Sequence, residues 1–181
     1  MATSSRKVVL TLDTYLSILA VVSSFCAIGI TFHQAYLQRT QQYASVMPVL
    51  DSYNTSRLLD GTRGYAIIIA NDGLGPAFVE NASFRFKDRT YASIGELARA
   101  ILKENNVNDT TAMTGDLWKG RVIPQGEKFS LIESQSKPAE KIIRENLGEI
   151  RIEILYKSAY GETWKHVFSQ NSNTAPNVKI D

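Results

Sequence analysis

Two hydrophobic patterns divide this chain. From Thr14 to Phe32 the sequence reads TYLSILAVVSSFCAIGITF, without Asp, Glu, Lys, Arg, Pro or His. At ~1.5 Å rise per helical residue the run measures roughly 28 Å, close to the ~30 Å hydrocarbon thickness of a bilayer. Beyond Pro48 the apolar residues recur with a period of two, which predicts strands. Between them lies HQAYLQRTQQYASVM, residues 33–47, free of Gly and Pro, so the helix is expected to continue to about residue 46 and stop at Pro48. Tyr36 suits the membrane interface, and Tyr43, on the same face, suits packing on the domain or a partner.

The competing readings of the apolar run are a cleaved signal peptide and a buried soluble helix. The run exceeds the ~7–15 residues of a signal-peptide core, and Phe25-Cys26-Ala27 makes a poor cleavage site. A soluble core helix rarely runs this far without a charge. Within the run, Ala20 with Ser24, and Ser23 with Ala27, form small-xxx-small pairs that allow a second helix to approach closely. Arg6, Lys7 and the amino terminus precede the run, with Asp13 close by, and Arg39 and His33 follow it. This bias favours a cytoplasmic N-terminus and, in a bacterium, a single-pass inner-membrane protein with a periplasmic domain.

In the second pattern, Val49 to Tyr53 reads as a strand and Tyr65 to Ala70 as a β-branched one. Asn71-Asp72-Gly73 signals a hairpin turn, with Gly73 or Gly75 expected at positive φ and Pro76 opening the next strand. Phe78, Ala82, Phe84 and Phe86 are expected on one face of it, with Glu80 interrupting. Lys87-Asp88-Arg89 turns into Thr90-Tyr91. Ser93-Ile-Gly-Glu96 is a capping box for a helix with the stripe Ile94, Leu97, Ile101. A polar loop, residues 105–115, leads to a short strand at Trp118 to Pro124, a turn at Pro124-Gln-Gly126 and a strand from Lys128 to Ile132. Lys137 to Asn146 reads as a second short helix with Pro138 in its first turn. Glu149 to Lys157 then alternates strictly, with Ile150, Ile152, Ile154 and Tyr156 on one face. After a turn at Tyr160-Gly161 the chain returns over Thr163 to Ser169, with Trp164, His166 and Phe168 together.

The fold class expected is mainly β: one transmembrane helix continuing into a juxtamembrane helix, then a sandwich of about seven strands with two short helical insertions. The corresponding division is a tail at 1–12, the helix at 13–47, the sandwich at 48–170 and a flexible tail at 171–181.

Composition narrows the chemistry. Twenty Lys+Arg face 18 Asp+Glu, and no basic stripe stands out, which argues against nucleic-acid binding. Cys26, inside the apolar run, is the single cysteine, so neither an internal disulfide nor a thiolate metal site is available. Of the two histidines, His33 sits at the membrane edge; a Ser/His/Asp triad or histidine metal site would rest on His166, which reads as an ordinary strand residue. Gly73-Leu-Gly-Pro lacks the Lys-Ser/Thr of a phosphate loop. Glu149, Glu153 and Glu162 read as a solvated strand face, and the tripeptides at Asn54, Asn81 and Asn108 match the glycosylation pattern at about chance frequency. No catalytic residue, metal or cofactor is expected.

The segment Asn71-Asp-Gly-Leu-Gly-Pro-Ala77, following an Ile-rich strand, resembles the N-x-G-x-G-P-A signature of uncharacterised bacterial single-pass membrane proteins with an immunoglobulin-like β-domain. Ser45-Val-Met-Pro48 is similar to their helix–domain junction, and Tyr156 to Trp164 to their closing hairpin. The resemblance covers about residues 10–170 and implies a fold and a topology, with no activity to carry over. The function expected is that of a non-enzymatic binding or accessory subunit, with the lipid bilayer and a protein partner or a second copy as its contacts. The alternative is a membrane effector, as in bacterial defence, with a ligand-sensing β-domain and a helix as output.

Overall fold

The computed structural model describes residues 11–107, 112–170 and 176–180. Arg6, Lys7, most of the expected N-terminal tail and the Asn108 tripeptide lie outside them. The chain forms two units, Met1–Gln42 and Tyr43–Asp181.

The first unit is built from helix α1 (Leu12–Ser45), whose last residues belong to the second. It is one continuous helix through the junction anticipated at residue 33, because nothing before Pro48 interrupts the backbone hydrogen-bond ladder. No residue of α1 is buried. Ser17, Ser24 and Thr31 each donate their hydroxyl to the carbonyl four residues back, at 2.8, 2.9 and 2.8 Å, which removes their need for water. By length and composition α1 can cross a membrane.

The second unit contains two antiparallel sheets enclosing one core. The first has the order β1 (Leu50–Arg57), β2 (Arg63–Asn71), β7 (Lys128–Ser134), β5 (Met113–Thr114). The other runs β10 (Asn177–Lys179), β9 (Thr163–Phe168), β8 (Ile150–Lys157), β3 (Ala77–Phe86), β4 (Arg89–Tyr91), with β6 (Val122–Ile123) also on β3. Helices α2 (Ile94–Glu104) and α3 (Lys137–Glu145) occupy the two expected positions. Among the described residues ten strands replace the expected seven or so, since strands of two or three residues are too short to show a period.

Strand β2 reads as a continuous apolar run because both its faces are covered. Tyr65, Ile67 and Ile69 enter the main core, while Ala66 and Ile68 pack with Leu58 and Tyr53 on the other side. β8 shows the opposite case, strict alternation of buried and half-buried positions. The α2 cap forms as anticipated at Ser93, whose Oγ accepts from Glu96 N at 3.2 Å; Glu96 Oε2 reaches back to Ala92 N rather than Ser93.

The structure corrects three expectations. Phe78 faces outward, whereas Ala77 and Val79 are buried with Phe84 and Phe86. The cause is a β-bulge against β8 between Val79 and Asn81, which places the inward positions at odd numbers before Glu80 and even numbers after it. The residue that seemed to interrupt the alternation is the bulge. Secondly, Asn71 to Pro76 is no hairpin: β2 and β3 belong to different sheets, and the loop crosses between them. Finally, part of the expected loose tail, Asn177–Lys179, is strand β10, paired with Trp164–His166.

Candidate functional site

Three places hold the residues that sequence and structure single out: the exposed face of α1 and two asparagine clamps, one at buried Asn71 and one at half-buried Asn177.

On α1, Ala20, Ser23, Ser24 and Ala27 follow the i, i+3, i+4, i+7 spacing of one helix face, and all are exposed. The Ser24 proton is committed to the Ala20 carbonyl at 2.9 Å. Its oxygen therefore offers only lone pairs outward, so a helix packing here would gain close backbone contact and at most an acceptor.

The first clamp centres on Asn71, the last residue of β2, which is 0% exposed. Its Oδ1 accepts from Val49 N at 3.3 Å and Gly73 N at 3.1 Å, and its Nδ2 donates to the carbonyls of Gly75 at 2.8 Å and Ile123 at 2.9 Å. An amide side chain has two donors and one acceptor oxygen with two lone pairs, so every valence is used, all on backbone. The segment leading into β1, the β2–β3 crossover and β6 are thereby joined at one side chain. Neither Gly73 nor Gly75 has positive φ; that conformation falls at other turn glycines, Gly126 before β7 among them. Glycine is needed at 73 and 75 for proximity. A Cβ on Gly73 would lie 2.2 Å from Val49 N, and one on Gly75 2.0 Å from Val46 O. The crossover and residues 46–49 run against each other, with Asp72 N bonded to Val49 O and Leu74 N to Met47 O, both at 2.9 Å. Pro76 ends the crossover just ahead of β3.

The second clamp joins the two sheets at β1, β9 and β10. His166 on β9 is 0% exposed. Its Nε2 lies 2.8 Å from Ser52 Oγ on β1, and its Nδ1 lies 3.1 Å from Asn177 Oδ1 on β10. Asn177 Nδ2 donates to Leu50 O at 2.7 Å, which fixes the amide so that Oδ1 faces the ring. Oδ1 can only accept, so Nδ1 carries the proton, and Ser52 donates to Nε2. Tyr156 on β8 donates to the same Oδ1 at 3.0 Å. Burial pushes the His166 pKa down, opposed by the Asn177 bond and the charge of Asp51. Burial also pushes the Tyr156 hydroxyl up to about 12. Both groups are neutral near pH 7.

The order Ser52, His166, Asn177 has the connectivity of an acyl-transfer triad. The imidazole itself is 0% exposed, whereas Ser52 is half-buried and lines a cavity of about 390 Å³ with Tyr53, Val167 and Phe168. Asn177 is also shared with Tyr156 and Leu50, which makes the arrangement a clamp between sheets. Sequence reasoning placed His166 on the correct strand and face but missed Ser52 and Asn177. The alternation Asn177-Val-Lys-Ile180 was the available signal for β10.

Glu153 is paired with Arg151 at 2.7 Å and Lys165 at 4.0 Å, and Glu162 with Lys179 at 2.6 Å, so these carboxylates are held by separate cations. No group of three or more His, Cys, Asp or Glu side chains suited to a metal occurs among the described residues. Compared with known proteins, the chain matches no family model, no curated protein and no solved structure.

Proposed function

We propose that this chain is a non-enzymatic, single-pass membrane subunit that binds another protein or a second copy of itself. In this reading α1 lies in a bacterial inner membrane, the N-terminus is cytoplasmic, and the β-domain is an immunoglobulin-like sandwich in the periplasm. The observation that carries the proposal is the 34-residue helix without a buried residue, uncharged around its whole circumference from Thr14 to Phe32. Such a surface is stable only in lipid or against another apolar helix. The Ala20, Ser23, Ser24, Ala27 face is the contact offered to that helix. The chemistry-bearing groups of the β-domain support a binding role, because His166, Ser52 and Asn177 are spent on one another.

The test is a pair of substitutions, Ala20→Leu with Ser24→Leu, examined by crosslinking in native membranes. Leu favours insertion but prevents close backbone approach. The variant should remain in carbonate-washed membranes, keep a folded domain and lose the crosslinked species. Unchanged crosslinking would leave α1 a plain anchor. Labelling of Ser52 by a fluorophosphonate probe would overturn the non-enzymatic reading.

A further inference from the structure

Strand β10 is held by few interactions. It has three residues, pairs only with β9 among the described residues, and exposes Val178 and Lys179. Val167 N bonds Pro176 O, and Ile180 N bonds Thr163 O, each at 2.9 Å. Lys179 reaches Glu162 at the surface. What ties β10 to the interior is the Asn177 side chain, seated among His166, Tyr156 and the Leu50 carbonyl.

We infer that β10 is an acid-released latch: protonation of His166 lifts the C-terminal strand from β9 and opens the seam between β1 and β9. A neutral ring suits its two partners, donating from Nδ1 and accepting at Nε2. A protonated ring donates from both nitrogens, so Ser52 must turn its own proton away and lose its acceptor. The cation would then sit in an enclosed site faced by Ser52 from β1, the Tyr156 hydroxyl from β8 and the Asn177 amide from β10, none of them charged. Among the described residues, the carboxylate acting on it is that of Asp51, exposed on β1. Lys165, its neighbour on β9, is engaged with Glu153 on the other face. An imidazolium in such a place recovers its hydration by gaining access to water. Two strands cover it, and they differ in cost. β1 is paired with β2 along its length, whereas β10 has only three residues and, among the described residues, pairs on one side alone, so β10 is the element that opens.

The test uses the full chain in detergent micelles, followed by amide hydrogen exchange corrected for intrinsic rates. Between about pH 7.5 and about pH 5, exchange at the Val178 and Ile180 amides, which face β9, should rise on the order of tenfold while β8 stays protected. A folded His166→Gln variant should lose that pH dependence. Should the variant not fold, the unmodified chain still decides: the midpoint of the exchange change must coincide with the titration of the His166 ring by NMR, distinguished from His33. Unchanged exchange at β10, an equal rise in folded His166→Gln, or midpoints that do not coincide would each overturn the latch.

Discussion

Two asparagines, Asn71 and Asn177, do similar mechanical work with different partners. Each gathers segments distant in sequence onto one amide. Asn71 bonds only to backbone groups, which do not titrate. Asn177 bonds to one backbone carbonyl and to the side chains of His166 and Tyr156, both of which do. A backbone-only clamp holds with the same strength across the pH range in which the domain is folded. A clamp that recruits ionisable side chains is strongest in the interval where both are neutral.

Removing the first clamp should have the largest effect. Asn71→Ala leaves Val49 N, Gly73 N, Gly75 O and Ile123 O without their partner, and thermal or urea unfolding should register a loss of about 3–5 kcal/mol. The loss should be nearly the same at every pH. A loss under about 1 kcal/mol would mean that water replaces the amide freely.

Gly75→Ala comes next. Its methyl would meet the Val46 carbonyl, which is backbone and cannot swing aside, so residues 46–49 must separate from the crossover at a cost of about 2–4 kcal/mol. A variant of unchanged stability would show that this packing is loose, and would weaken the Asn71 clamp as a rigid unit.

Asn177→Ala should cost about 1–3 kcal/mol near neutral pH, less than Asn71→Ala because the β10 side of the site lies nearer to water. Its distinguishing effect is on the shape of the pH curve rather than its height. In the parent, His166 has a lowered folded pKa, so its contribution is present above the unfolded value of about 6.5 and is lost as pH falls below it. Tyr156 has a raised one, so its contribution is present below about 10 and is lost as pH rises from there toward about 12. Stability of the parent measured from acid to alkali should therefore show a plateau with two falling limbs. His166→Gln should flatten the acid limb and leave the alkaline one, the smallest change of the series. An acid limb that survives this substitution would assign the acid sensitivity to other groups.

Much of the architecture was legible in the chain. The uncharged run from Thr14 to Phe32 and the uninterrupted stretch to Pro48 gave α1, because helix continuation depends on local residues. Ile150 to Tyr156 gave β8 and its buried face, and Ser93 with Glu96 gave the start of α2. Phe78 was assigned to the wrong face because a bulge at Glu80 changes which positions point inward. Bulges form to suit the register of the partner strand, here β8, which local spacing does not reveal. Gly73 and Gly75 were recognised as necessary for the wrong reason. Their need arises from the backbone of residues 46–49, more than twenty positions earlier in the chain.

What the sequence by itself determined is whatever is encoded within a few neighbouring residues: helix length, strand alternation, caps and turn sites, and the absence of cysteine from the β-domain. The tertiary structure decided which strands share a sheet, that residues 71–76 cross between sheets, and that Ser52, His166 and Asn177 meet. Those outcomes depend on long-range pairing and on where buried polar groups find partners. An amide or imidazole removed from water must be satisfied by whichever groups the fold brings to it, and their identity is fixed only when the sheets close over them.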